Sequence, residues 1–172
     1  MDDALWRSPI VTLRTPEWVL AFYLFLLHFV WEMLQTPFFD GMPAMPHWPA
    51  TLFCLGATLG DVAIGLLSFG AAALVQRGRG WFLSPSPVAA SVFIVTGLAS
   101  TVVLELHATA VGRWTYSPLM PVLPGLRVGL VPLLQWVVLP PIALFLLRRH
   151  HLGSAPRRTP RVRTSEMELP RA

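Results

Sequence analysis

Four long apolar runs dominate the pattern of this chain, and only a few polar residues interrupt them. A bilayer core takes about 20 apolar residues per helix. The stretches 17–35, 51–75, 88–110 and 128–147 each meet that requirement. The pattern predicts an all-α membrane protein in which one domain, 1–147, holds four transmembrane helices and a tail, 148–172, follows. The first run is not a cleaved signal segment on this reading. Its apolar core is long, it contains His28 and Glu32, and no small-x-small cleavage site follows. Prolines mark the connections: Pro37, Pro43, Pro46 and Pro49, then Pro85 and Pro87, then Pro118, Pro121 and Pro124. Pro132, Pro140 and Pro141 predict a bent fourth span, with Pro132 freeing a carbonyl near Gln135.

The polar interruptions share helical phase. His28, Glu32 and Gln35 stand at i, i+4 and i+7, so they form one stripe. Cys54, Thr58, Asp61, Gly65 and Ser68 form a second stripe on span two, and Gly97, Thr101, Glu105 and Gly112 a third on span three. Lipid offers no hydrogen bonds, so such stripes should face the bundle interior. Gly56 and Gly60 make a G-x-x-x-G pair on a neighbouring face, suited to close helix contact. His107 points about 200° away from Glu105 at roughly 100° per residue, so one regular helix cannot aim both at one point.

Charge then orients the spans. The chain is 54% hydrophobic and 13% charged, against about 25% charged residues in a soluble domain. All 13 basic residues are arginine, which suggests a GC-rich bacterial genome. Eleven of them lie on the side that holds both termini and the second connection; only Arg113 and Arg127 lie opposite. Positive-inside bias therefore predicts cytoplasmic N- and C-termini, with a disordered basic tail carrying Arg157, Arg158, Arg161 and Arg163. The expected place is a bacterial inner membrane. The net charge of +4 does not imply nucleic acid, because the arginines sit in flanks and tail. The single Cys54 excludes an intramolecular disulfide.

On this orientation, a rise of about 1.5 Å per residue puts His28, Glu32, Glu105, His107 and Gln135 within about 10 Å of the outer end of their spans, and Asp61 about 15 Å down its own. An ionisable residue inside a membrane costs on the order of 2.5–3.5 kcal/mol, so these residues form a candidate site. Asp61, Glu105 and Glu32 are the candidate acid–base groups, with His28, Gln35, Thr58, Thr101, Gln135, Trp114 and Tyr116 around them. Helix packing through Thr58 competes as an explanation of Asp61, interfacial water as an explanation of Glu32 and Glu105. A register-fixing hydrogen bond would equally account for His28. His47, Trp48, Trp114 and Tyr116 suit an interfacial belt or a lid. Arg113 would snorkel to headgroups or reach back to Glu105.

The segment Glu105-Leu-His-Ala-Thr-Ala-Val-Gly-Arg-Trp-Thr-Tyr-Ser-Pro, followed by Gly125-Leu-Arg-Val-Gly-Leu-Val-Pro-Leu-Leu-Gln-Trp, resembles the small-subunit and fused lycopene cyclases and, more loosely, the carotenoid hydratases. In that group an acidic residue ending one span precedes a G-x-W-x-Y/F stretch, and the next span opens with a Pro-Leu-Glu-Glu-like motif. The resemblance covers about residues 105–147. Where the family has glutamates, this chain has Leu134 and Gln135, and glutamine cannot deliver a proton. The segment from His28 to Phe39 also resembles the start of small bacterial membrane proteins of no assigned activity.

Three functions fit these residues. The first is intramembrane acid–base chemistry on an isoprenoid or other membrane lipid, in which a carboxylic acid kept protonated by burial donates to a double bond and a second carboxylate stabilises the cation. The second is a metal site of His28, Glu32 and Asp61, since His28 and Glu32 have ligand spacing. The third is an accessory subunit whose polar residues fix helix register. A transport role would require a homo-oligomer or a partner membrane subunit. No cofactor can be read from the sequence.

Overall fold

The computed structural model describes residues 15–153. Four helices follow in order: α1 (Pro16–Gln35), α2 (His47–Val75), α3 (Pro87–Ala110) and α4 (Leu130–Gly153). All four are long and apolar enough to cross a membrane. Helix α1 packs on α2 and α4, and α3 packs on the same two helices, which closes a four-membered ring. Large apolar side chains such as Phe22, Leu59, Leu67 and Val103 stand exposed around its outside. An apolar exterior over four spanning helices is the surface of a multi-pass membrane protein.

The helix ends follow local chemistry. Pro16 and Pro87 occupy first-turn positions where a missing N–H costs nothing, and Ser86 caps α3 by accepting from the Ala89 N–H. Helix α3 stops at Gly112, whose φ of +67° lets Arg113 N–H reach the Ala108 carbonyl at 2.8 Å. Gly112 therefore terminates span three instead of lining it, contrary to its place in the stripe. Helix α2 begins at His47, ahead of 51, and α4 runs to Gly153. Residues 148–151, expected in the tail, are thus helical; Arg7, Arg14 and the tail beyond 153 lie outside the described residues. Pro132 falls in the first turn of α4, so the carbonyl four residues before it precedes the helix and no helical bond is lost there. Pro140 and Pro141 do lie inside α4 and withhold N–H groups from the carbonyls of Trp136 and Val137.

The two ends of the bundle differ. At the end carrying the α2–α3 connection, Leu20, Leu24, Phe69, Phe93, Ala143 and Leu147 form a fully buried apolar core, plugged by Trp81 and Phe82 from the connection itself. Helices approach closely at two glycines: a Cβ on Gly65 would collide with Leu24, and one on Gly97 with the Trp136 ring. At the other end the two long connections pair across the bundle. Phe39 and Tyr116 form an antiparallel bridge, Asp40 N–H donates to Thr115 O at 2.9 Å, and Ser117 N–H to Phe38 O at 3.0 Å. The result is a roof over the polar half of the interior.

Candidate functional site

The helical stripe of α1 turns His28, Glu32 and Gln35 inward, where they are 0%, 8% and 5% exposed. Asp61 reaches them from α2 and Gln135 from α4. The Gln135 amide nitrogen is the hub: it stands 2.8 Å from His28 Nδ1, 3.2 Å from Glu32 Oε1 and 3.0 Å from Asp61 Oδ2. Gln35 donates to Glu32 Oε1 at 2.8 Å, and His28 Nδ1 lies 3.1 Å from Asp61 Oδ2. An amide nitrogen has two hydrogens, so it cannot serve three acceptors together. The His28–Asp61 contact needs a proton of its own, carried by the imidazole or by the carboxyl. The contact joins α1 to α2 through two polar side chains.

Glu105 forms a second node. Its Oε2 accepts from Trp114 Nε1 at 3.3 Å and from the Tyr116 hydroxyl. Tyr116 in turn accepts from the Gly129 N–H at 3.0 Å. Burial first, and then the bond to Glu105, push the Tyr116 phenol above its usual range, so it stays a neutral donor. Helix α3 and the roof are therefore tied together through one carboxylate.

Both nodes border a cavity of about 400 Å³, within the range of about 300–1,000 Å³ typical of small-molecule sites. Glu32, Gln35, Asp61, Thr101, Glu105, Trp114 and Gln135 line it. So do apolar groups of α2, α3 and the roof, which sequence pattern did not single out, such as Phe39, Met42, Phe53 and Leu104. Cys54, from the stripe of span two, also lines it, its thiol 3.6 Å from the Glu32 carbonyl. Phe39 and Met42 gave no signal because their contacts depend on the pairing of two connections far apart in the chain.

Several expected pocket residues stand elsewhere. Thr58 is fully buried but does not line the cavity; its hydroxyl donates to the Cys54 carbonyl at 2.8 Å, within its own helix. His28 lies behind the cavity wall, packed on Trp136 with ring centroids 5.4 Å apart. Tyr116 acts on the cavity only through Glu105. His107 is exposed, at the cavity rim. Trp48 is 67% exposed, so it suits a belt and not the roof. Arg113 lies over the Trp114 ring, 5.6 Å from its centroid, while the bonds Glu105 accepts come from Trp114 and Tyr116. Gly56 and Gly60, expected at a helix contact, line the cavity, and a Cβ on either meets nothing within 4 Å.

The metal alternative meets a geometric obstacle. His28, Glu32 and Asp61 do converge, yet the Gln135 amide nitrogen occupies the point between them and makes the contacts a cation would make. Among the described residues no group of three or more His, Cys, Asp or Glu is arranged to hold a metal ion.

Fold and site together define a four-helix membrane protein with a roofed polar cavity. No family model matches the chain, and no curated protein or solved structure shows significant similarity to it.

Proposed function

We propose that the chain is a multi-pass protein of a bacterial inner membrane with both termini in the cytoplasm, and that its cavity, in the outer half of the bilayer, carries out acid–base chemistry on an isoprenoid or another unsaturated membrane lipid. The observation that supports this most is the 3.1 Å contact between His28 and Asp61 beside a cavity that Asp61 itself lines together with apolar side chains. Asp61 is the donor in this scheme. It passes its proton to one carbon of a double bond, and the other carbon becomes cationic. Glu105, held by Trp114 and Tyr116, supplies negative charge to that cation. Loss of a proton from a neighbouring carbon to the Asp61 carboxylate then restores the acid, so the reaction is redox-neutral and needs no cofactor.

The test uses the protein reconstituted in vesicles containing linear polyisoprenes, with products separated by chromatography and mass spectrometry. Deuterium from heavy water should enter the product at carbon. Asp61→Asn and Glu105→Gln should each remove turnover while the helical spectrum is retained. Undiminished turnover in the double variant would remove the acid–base reading. The contacts of the Gln135 amide beside the His28–Asp61 pair also clamp α1, α2 and α4, which favours a register-fixing accessory role as the second reading. Loss of stability in both variants, with no product from any alkene supplied, would decide for it.

A further inference from the structure

The cavity is shut above, filled below and open at one side. The roof places buried Phe39 and Met42 over it, and the apolar core fills the opposite end. Between α2 and α3 the wall thins. Gly56 and Gly60 line the cavity yet are exposed on the outer surface of α2. Opposite them Leu104 of α3 and Val111, just past its end, also line it while being 48% and 61% exposed. Residues that face the interior and the exterior at once mark an opening. Its surroundings are the exposed apolar residues Leu52, Leu59 and Val103, which is the surface turned to lipid.

What lies within limits what can enter. Gln35 and Thr101 line the cavity, are 5% and 7% exposed, and hold buried atoms without a hydrogen-bond partner, the Gln35 Oε1 and the Thr101 Oγ1. An amide oxygen can only accept, whereas a threonine hydroxyl both donates and accepts. A ligand hydroxyl can donate to the first and pair with the second. An anionic head would meet Glu32, Asp61 and Glu105 with a single guanidinium, Arg113, among the lining groups. A cationic head would find one oxygen of each carboxyl group already paired with Gln35, Gln135, Trp114 or Tyr116, and would leave the Gln35 oxygen and the Thr101 hydroxyl to be matched as well.

We propose that the cavity takes a single-chain amphiphile with an uncharged hydroxyl head, which enters sideways from the bilayer between α2 and α3 across Gly56 and Gly60. The hydroxyl binds between Gln35 and Thr101, and the hydrocarbon chain lies in the gap. This assignment names the ligand class for the site proposed above, and it rests on that reading only in placing the cavity within the membrane.

The test places the protein in phosphatidylcholine nanodiscs with a long-chain alcohol bearing a diazirine at the tail end. The matched carboxylic acid and amine serve as comparisons. After illumination, crosslinked peptides are mapped by mass spectrometry. The alcohol should give saturable crosslinks around Gly60 and Leu104, with the acid and amine weaker by about tenfold. Gly60→Phe should cut the alcohol signal by at least about tenfold. Gly70→Ala, on α2 away from the cavity lining and with open space at its Cβ, should not change it. Leu104→Trp closes the gap from the other helix and gives a second variant if the first is poorly folded. Unchanged crosslinking in both closed variants overturns the side entrance, and equal crosslinking by alcohol, acid and amine overturns the head assignment. Crosslinking needs no turnover. Alcohol binding through the gap, with no product from any alkene supplied, would leave this inference standing and remove the acid–base reading, whereas turnover indifferent to both closures would do the reverse.

Discussion

Replacing Gln135 with leucine isolates the hub from the shape of the core. The side chains are similar in size, so the change removes the amide and leaves little void. Three contacts disappear together, to His28, Glu32 and Asp61. The amide can donate to only two of the three at a time, and hydrogen bonds between membrane helices average about 0.6 kcal/mol and reach about 1.7, so the loss lies between about 1 and 3 kcal/mol. The lower figure applies, because Glu32 keeps the bond from Gln35 and Asp61 keeps His28. At about 2–4 °C per kcal/mol for a chain of this size, Gln135→Leu should lower Tm by about 2–4 °C in detergent, read from intrinsic fluorescence on heating. Thr58→Val is the control. It removes one bond made within α2 and should shift Tm by no more than about a degree. If Gln135→Leu matched that control, the amide would not be what joins α1, α2 and α4. Coupling with Asp61→Asn should also be non-additive, since the two residues share a bond.

Gly97→Ala should be destabilising by about 1–3 kcal/mol, because its Cβ would meet the fully buried Trp136 ring; Gly56→Ala, with open space around its Cβ, should leave Tm unchanged in the same melts. Gly112→Ala places a side chain at φ +67° and should cost about 1–2 kcal/mol, seen as a lower denaturation midpoint. The raised pKa of Tyr116 predicts stability that is intact below the unfolded phenol pKa of about 10 and falls as pH rises above it, since the unfolded chain releases a proton that the folded one retains; Tyr116→Phe should flatten that fall in alkaline melts followed by circular dichroism.

Much of the architecture was legible from the chain, and physical reasons separate what was from what was not. Span length is a local property of composition, so all four helices could be read. Phase within a regular helix is also local, which is why the stripe of His28, Glu32 and Gln35 and the inward turn of Asp61 could be anticipated, whereas Gln135 stood out only as a polar residue inside an apolar span. The role of Gly56 and Gly60 could not. A small residue permits either close approach or empty space, and only the path of the neighbouring helix decides between them. Thr58 has the phase of Asp61, but its hydroxyl finds the carbonyl four residues back before it can reach the cavity. The roof was the least legible part, because its bridge joins residues 39 and 116, and nothing local to either stretch specifies the partner. Function was the furthest from reach, since carboxyl groups gathered around one amide would look the same in an enzyme and in a structural clamp.

The plug of Leu20, Leu24, Phe69, Phe93 and Leu147 beneath the polar cluster has a kinetic consequence. It makes the interior a cul-de-sac. A solute could not be carried from one face to the other through a single copy without melting the best-packed part of the bundle. Whatever visits the polar half must back out the way it came, so residence time and not throughput is the quantity this architecture sets.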